Sequence, residues 1–304
     1  MEILGLELWQ VALILLAGFW AGTINTVVGS GTLVTFPVLV AMGFPPVTAQ
    51  ISNAMGLVAA GVSGVFGWRR ELAQSRAVLP ALTTASLAGG LVGAFLLMVL
   101  PEEVFGVAAP ILIVVALGFV VFQPRMSAWV RRRKARQAED SVRDDAGGAD
   151  GPGAPAARHP GGDAGTLAPA DGDAPQTPTG PVSPLLWLLV FGAGVYGGYF
   201  VAAQGVLLLG ILGVFMGGAL VHANAVKTYL SLVVNLIAAT SYLLFAFDRI
   251  DWRAVLLIAV SSMLGASLGA QIGRRIRPFW LRVVIVIVGL AGLANMVWRL
   301  VTGE

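Results

Sequence analysis

The chain has 304 residues, of which 57% are hydrophobic and only 12% charged, with a formal net charge of +3 and a mean hydropathy of +0.84. A soluble domain carries about a quarter of charged residues, so the composition excludes an ordinary soluble protein. It has no cysteine, which excludes disulfides, thiolate metal sites and cysteine nucleophiles.

The N-terminus, MEILGLELWQ, shows no basic region and no small-residue cleavage site, so the first apolar run is expected to stay as a helix. Ten apolar segments follow. Five fall near 8–28, 31–45, 47–68, 77–100 and 103–123, and five near 184–204, 206–221, 224–247, 254–273 and 279–299. Most approach the roughly 20 residues a helix needs to cross a bilayer core. The second and seventh are short. No run has the alternation of a membrane β-barrel. The expectation is an all-α, polytopic membrane protein with a first membrane repeat over 1–123, a linker over 124–182 and a second repeat over 183–304.

The linker begins with a basic run, RMSAWVRRRKARQ, beside a membrane helix. It continues over 141–182 as Ala, Gly, Pro and Asp with almost no aliphatic anchor. Such a stretch buries too little apolar surface to offset its ordering entropy and reads as disordered. Its Arg cluster either serves as a plain tether or meets anionic lipid.

Sliding the chain by 176 residues puts glycine on glycine. Gly18 falls on Gly194, Gly22 on Gly198, Gly29 on Gly205, Gly89 on Gly265 and Gly93 on Gly269. The halves therefore read as two copies. With the linker in the cytoplasm, sixteen of the nineteen Lys and Arg residues fall inside, and only Arg249, Arg253 and Arg299 fall outside. This is the positive-inside pattern, with both termini outside. Each half makes a net odd number of crossings, so the copies are expected to be inverted, with short or re-entrant helices and a substrate site at the repeat interface.

Within this apolar chain, "INTVVGSGTLVTFP" (Ile24 to Pro37) stands out. Backbone freed by a break such as Gly29-Ser30-Gly31 is tolerated at membrane depth only inside protein or along a wet cavity. A helix starting there aims its positive end at that cavity and favours an anion. The matching place is Ala203-Gln204-Gly205. The other repeated glycines read as close helix packing. A second polar cluster, Gln50, Ser52 and Asn53, opens the third segment, and its counterpart of His222, Asn224, Lys227, Thr228 and Tyr229 opens the eighth. Capping and snorkelling are the plain alternatives for these residues. No Asp or Glu lies inside an apolar span, whereas cation carriers and proton relays depend on such acids. The expected substrate-binding set is Asn25, Ser30, Thr32, Ser52, Asn53, Gln204, Asn224, Lys227 and Thr228, with Gly29, Gly31 and Gly205 as a backbone anion site. No metal site, cofactor or nucleotide motif is read, and no nucleic-acid partner; the expected partners are a small anion and membrane lipid.

At these residues the chain resembles the sulfite exporter TauE/SafE family of permeases. The resemblance rests on "AGFWAGTINTVVGSGTLVTFPVLVAMGFPPVTAQISN" and "GAGVYGGYFVAAQGVLLLGILGVFMGGALVHANAVKTY". Gly29, Gly31, Pro37, Ala49, Ser52 and Asn53 match the first copy of the family's pattern, and Gly205, Ala225 and Thr228 the second. Gln204-Gly205-Val206, Tyr229 and the long charged linker depart from it. The resemblance implies a permease for sulfite or an organosulfonate at the inner membrane, working by alternating access. A membrane scaffold, or a carrier of an unrelated metabolite, is the alternative. An intramembrane hydrolase lacks the nucleophile, base and metal cluster it would need.

Overall fold

The computed structural model describes residues 2–3, 5–147, 182–216, 220–272 and 278–302. A two-residue ladder of β1 (Glu2–Ile3) and β2 (Leu6–Glu7) precedes the helices. The first half holds α1 (Leu8–Val27), α2 (Thr32–Ala41), α3 (Pro46–Gly67), α4 (Arg69–Gln74), α5 (Leu79–Val99) and α6 (Glu102–Gly147). The second holds α7 (Pro184–Phe200), α8 (Gln204–Phe215), α9 (Leu220–Phe245), α10 (Trp252–Ile272) and α11 (Pro278–Thr302). Seven of these are long and apolar enough to cross a membrane; α2, α7 and α8 are shorter apolar helices. The chain is an all-α, multi-pass membrane protein. Leu91, Phe95, Ile111, Val114, Leu256, Val260 and Ile287 stand exposed on its outer faces, an apolar surface of the kind that suits lipid.

Prolines in the first turn start α3, α5 and α7, where a missing N–H costs nothing. The Ser183 hydroxyl caps α7 by accepting from Leu186 N at 3.1 Å. α2 and α8 have 10 and 12 residues, or about 15 and 18 Å, roughly half a bilayer core. Two features differ from the sequence expectation. Arg69–Gln74 forms the short helix α4. The fifth helix does not stop near residue 123: α6 continues to Gly147, through the basic run and into the stretch read as disordered. Residues 148–181 lie outside the described set.

The helices cross between halves in matched pairs. α1 packs on α10 as α7 packs on α5. Gly265 is pressed against the Phe19 carbonyl and Gly269 against Thr23; under the offset of 176, these pairs become Gly89 against Val195 and Gly93 against Tyr199, which are also in contact. A Cβ on Gly22, Gly89, Gly93, Gly198 or Gly265 would collide with backbone of the facing helix. Small residues here let backbones approach closely, as in membrane helix pairs generally. The Thr23 hydroxyl adds a bond to Gly265 O at 2.9 Å, and Tyr242 OH one to Gly198 O at 2.8 Å.

Contact order gives helix direction. Gly56 faces Ile258, and Gly67 faces Ala270, so α3 and α10 are parallel. Thr83 meets Tyr229, and Gly90 meets Val234, so α5 and α9 are parallel too. Gly61 faces Leu232, and Gly64 faces Thr228, so α3 and α9 run opposite ways. The two hairpins, α1–α2 and α7–α8, are joined by an aromatic knot. Phe36 of α2 lies 5.4 Å from Phe200 of α7 and 6.2 Å from Phe105 of α6, both edge-on.

Candidate anion site

Two breaks in regular structure meet at the centre. Between α1 and α2, Gly29 has φ +94°, a left-handed backbone that suits glycine. Between α7 and α8 the chain turns through Val201 (φ 61°) and Ala203 (φ 59°). Positive φ at a β-branched valine is strained and is found where surrounding structure over-determines it. The two breaks touch: a Cβ on Gly29 would lie 2.8 Å from Gly205 Cα, and one on Gly205 would lie 2.7 Å from Gly29 Cα. Gly29 and Gly205, which coincide under the offset of 176, are thus in backbone contact with each other.

Lys227 reaches this meeting point from α9. It is 1% exposed. Its Nζ donates to Asn25 O at 3.4 Å and lies 3.3 Å from where a Gly29 Cβ would stand. Arg249 pairs with Glu102 and Arg253 with Asp251, and among the described residues no carboxylate pairs with Lys227. A polar cavity of about 10 Å³ adjoins it, lined by Asn25, Thr26, Lys227, Thr228, Ser231 and Asn235 over the small residues Ala60 and Gly61 of α3. That space holds about one water. The Ser231 hydroxyl and Asn235 Oδ1 have no hydrogen-bond partner. The Thr228 hydroxyl donates back to Asn224 O at 2.8 Å. Buried polar atoms are normally satisfied, so this wall offers donors and acceptors to a guest.

The sequence-based set is only partly gathered here. Asn25, Gly29, Gly205, Lys227 and Thr228 come together. Asn224 is one turn before Thr228, with its Oδ1 unpartnered. Ser30 is buried by the break, its hydroxyl also unpartnered. Gly31 packs on the Ala21 backbone. Gln204 is 1% exposed and lies against Gly197 with both amide atoms unpartnered. Thr32 and Asn53 are set apart. Asn53 Nδ2 donates to the Thr32 hydroxyl at 3.2 Å, and the Thr35 hydroxyl donates to Asn53 Oδ1, pinning α2 to α3. Ser52 accepts from Asp251 N at 2.9 Å and holds the α9–α10 loop. Burial opposes the Asp251 carboxylate, but hydrogen bonds from the Arg253 guanidinium and Ala254 N–H outweigh it and hold its pKa below the ordinary value. His222 pairs with Gln74 of α4 at 2.6 Å, away from the cavity. The capping reading fails for both polar clusters, since α3 starts at Pro46 and α9 at Leu220.

Sequence reasoning missed Thr26, Ser231 and Asn235. The signal was available: Lys227, Ser231 and Asn235 recur every four residues and share one face of α9.

The profile of one protein family, the sulfite exporter TauE/SafE family, matches residues 14–296. A curated relative from Sinorhizobium sp., "Probable membrane transporter protein ORF9", is 28% identical over 117 residues. That alignment spans 38% of this chain and 44% of the relative, so the chain spans under half of that protein's length. No solved structure matches the chain significantly. With the profile covering all but the two ends, and with a fold of membrane-crossing helices, the chain belongs to the sulfite exporter TauE/SafE family of membrane transporters.

Proposed function

We propose that the protein is a permease for a small oxyanion, sulfite or an organosulfonate, and that the anion binds between the Gly29–Gly205 contact and the Lys227 face of α9. One observation carries this reading: a buried lysine at the meeting of two helix breaks, with no carboxylate among the described residues paired with it. A buried ammonium needs a counter-charge; here the transported anion supplies it. The family match supports sulfur oxyanions as the substrate class. The cavity takes one water, so the described conformation is closed around the site, and the anion enters when the breaks part. Opposite running of α3 and α9, with the matched glycine contacts, supports two inverted halves exchanging access across this contact. The half-length α2 and α8 serve as re-entrant arms.

In proteoliposomes, purified protein is expected to carry radiolabelled sulfite down its gradient, with chloride a poor competitor. Vesicles no more permeable than empty ones would refute the permease reading and favour a scaffold.

The same reading places the protein in the inner membrane, with both termini outside and residues 124–182 in the cytoplasm, on the sixteen-to-three split of basic residues. Because the chain has no cysteine, Asp150→Cys creates a unique label site. It should resist a membrane-impermeant maleimide in intact cells and react after permeabilisation. Ready labelling in intact cells would reverse the orientation.

A further inference from the structure

Where α1 ends, the Val28 carbonyl is not left bare. Gln123 of α6, 5% exposed, donates to it from Nε2 at 3.3 Å. On the other side of the same amide, Arg282 of α11 donates from Nε to Gln123 Oε1, also at 3.3 Å. The order is fixed by chemistry. A guanidinium only donates and a carbonyl only accepts, so the amide must turn its oxygen to Arg282 and its nitrogen to Val28. A leucine could fill this space but could not bridge the two. Pro124 comes next and has no N–H to return to Val120, which leaves α6 without one helical bond at this level. Val28 adjoins Gly29, and one turn earlier Asn25 O takes the Lys227 ammonium.

We propose that Gln123, oriented by Arg282, is a positioning residue of the anion site. It fixes the Val28 carbonyl, and with it the Gly29 turn on which Lys227 rests, so that α6 and α11 brace the break from behind. The proposal rests on the reading of the Lys227 cavity as the anion site.

The test is a double-mutant cycle on sulfite uptake by proteoliposomes, reading KM and maximal rate for Gln123→Leu, Arg282→Met and the pair. Each single change should raise KM by about tenfold, the scale of one lost hydrogen bond, with the maximal rate little changed. The double variant should be no worse than either single, because both act through one link. Gln123→Glu is nearly isosteric and keeps the Arg282 contact but cannot donate to Val28; it should also raise KM, and it serves if Gln123→Leu fails to insert. Additive KM effects would mean that Arg282 meets the anion directly, and would overturn the proposal. So would wild-type KM in both Gln123 variants while Lys227→Ala is impaired. Wild-type KM in Lys227→Ala would overturn the site reading itself, and this inference with it.

Discussion

Lys227→Ala is expected to weaken anion binding by about 10- to 150-fold, the range for losing a hydrogen bond to a charged group, about 1.5–3 kcal/mol. The measurement is equilibrium binding of labelled sulfite to purified protein, with folded fraction held equal. The size follows from burial: at 1% exposure, little water stands between the ammonium and a bound anion. Lys227→Arg should keep part of the affinity, since the charge survives but the planar fork fits a cavity of about 10 Å³ poorly. Among the described residues Arg282 stands behind the break, engaged with Gln123 Oε1 at 3.3 Å. Arg249 and Arg253 are paired with Glu102 and Asp251 at the far end of the bundle. If Lys227 only caps the α1 carbonyls, Lys227→Gln would lower thermal stability and leave the affinity unchanged, leaving a neutral amide- and hydroxyl-lined site.

The glycine contact gives the second large effect. Gly29→Ala meets Gly205 backbone at 2.8 Å and also places a side chain at φ +94°. Overpacking costs about 1–3 kcal/mol, and a left-handed L-residue adds about 1–2 kcal/mol. Gly205→Ala meets Gly29 backbone at 2.7 Å without a left-handed backbone, so it should cost less, from overpacking alone. Gly106→Ala and Gly118→Ala, which meet nothing within 4 Å, are the controls and should be neutral or slightly stabilising. Thermal unfolding in detergent should rank Gly29→Ala below Gly205→Ala below both controls. Transport should fall in the two central variants, because neither break can then reach the other. A melting temperature unchanged in Gly29→Ala would mean the two breaks do not touch.

Much of the fold was legible because a membrane helix is a length and a composition. Ten apolar runs became ten helices, most with ends within a few residues; α6 overran its expected end near 123 and α8 stopped short of its expected end near 221. What escaped notice was polar. RRELAQ is too short and charged to register as a segment, yet it forms α4. The stretch after Gln123 reads as a basic run over 124–140 and, from 141, as Ala, Gly, Pro and Asp, which places it in the linker. Its Ala, Arg, Gln and Glu are good helix formers, and they carry α6 to Gly147. The site was legible where a single residue breaks the local rule. Lys227 is a cation inside an apolar run, and Gly29 the centre of a broken helix. It was misjudged where symmetry was trusted too far. The repeat puts Ser52 on Thr228, which suggested two matching donors. Yet the residues it puts on Asn25, Lys227, Ser231 and Asn235 are Val201, Ile51, Met55 and Ala59. At each of these positions only one copy has the polar residue, and Ser52 is engaged with Asp251 N. A shared backbone plan does not carry shared chemistry.

The central claim is that one oxyanion sits beside Lys227 at the meeting of the two breaks. Selenite has the shape and charge of sulfite and scatters anomalously at the selenium edge, so a crystal of the protein grown with selenite tests the claim directly. The account predicts one anomalous peak per chain, within hydrogen-bond reach of Lys227 Nζ and of the Asn235 or Ser231 side chain, and its loss in Lys227→Ala crystals. A peak beside Ser52 and Asn53 instead, or one at Lys227 that persists in the alanine variant, would contradict it.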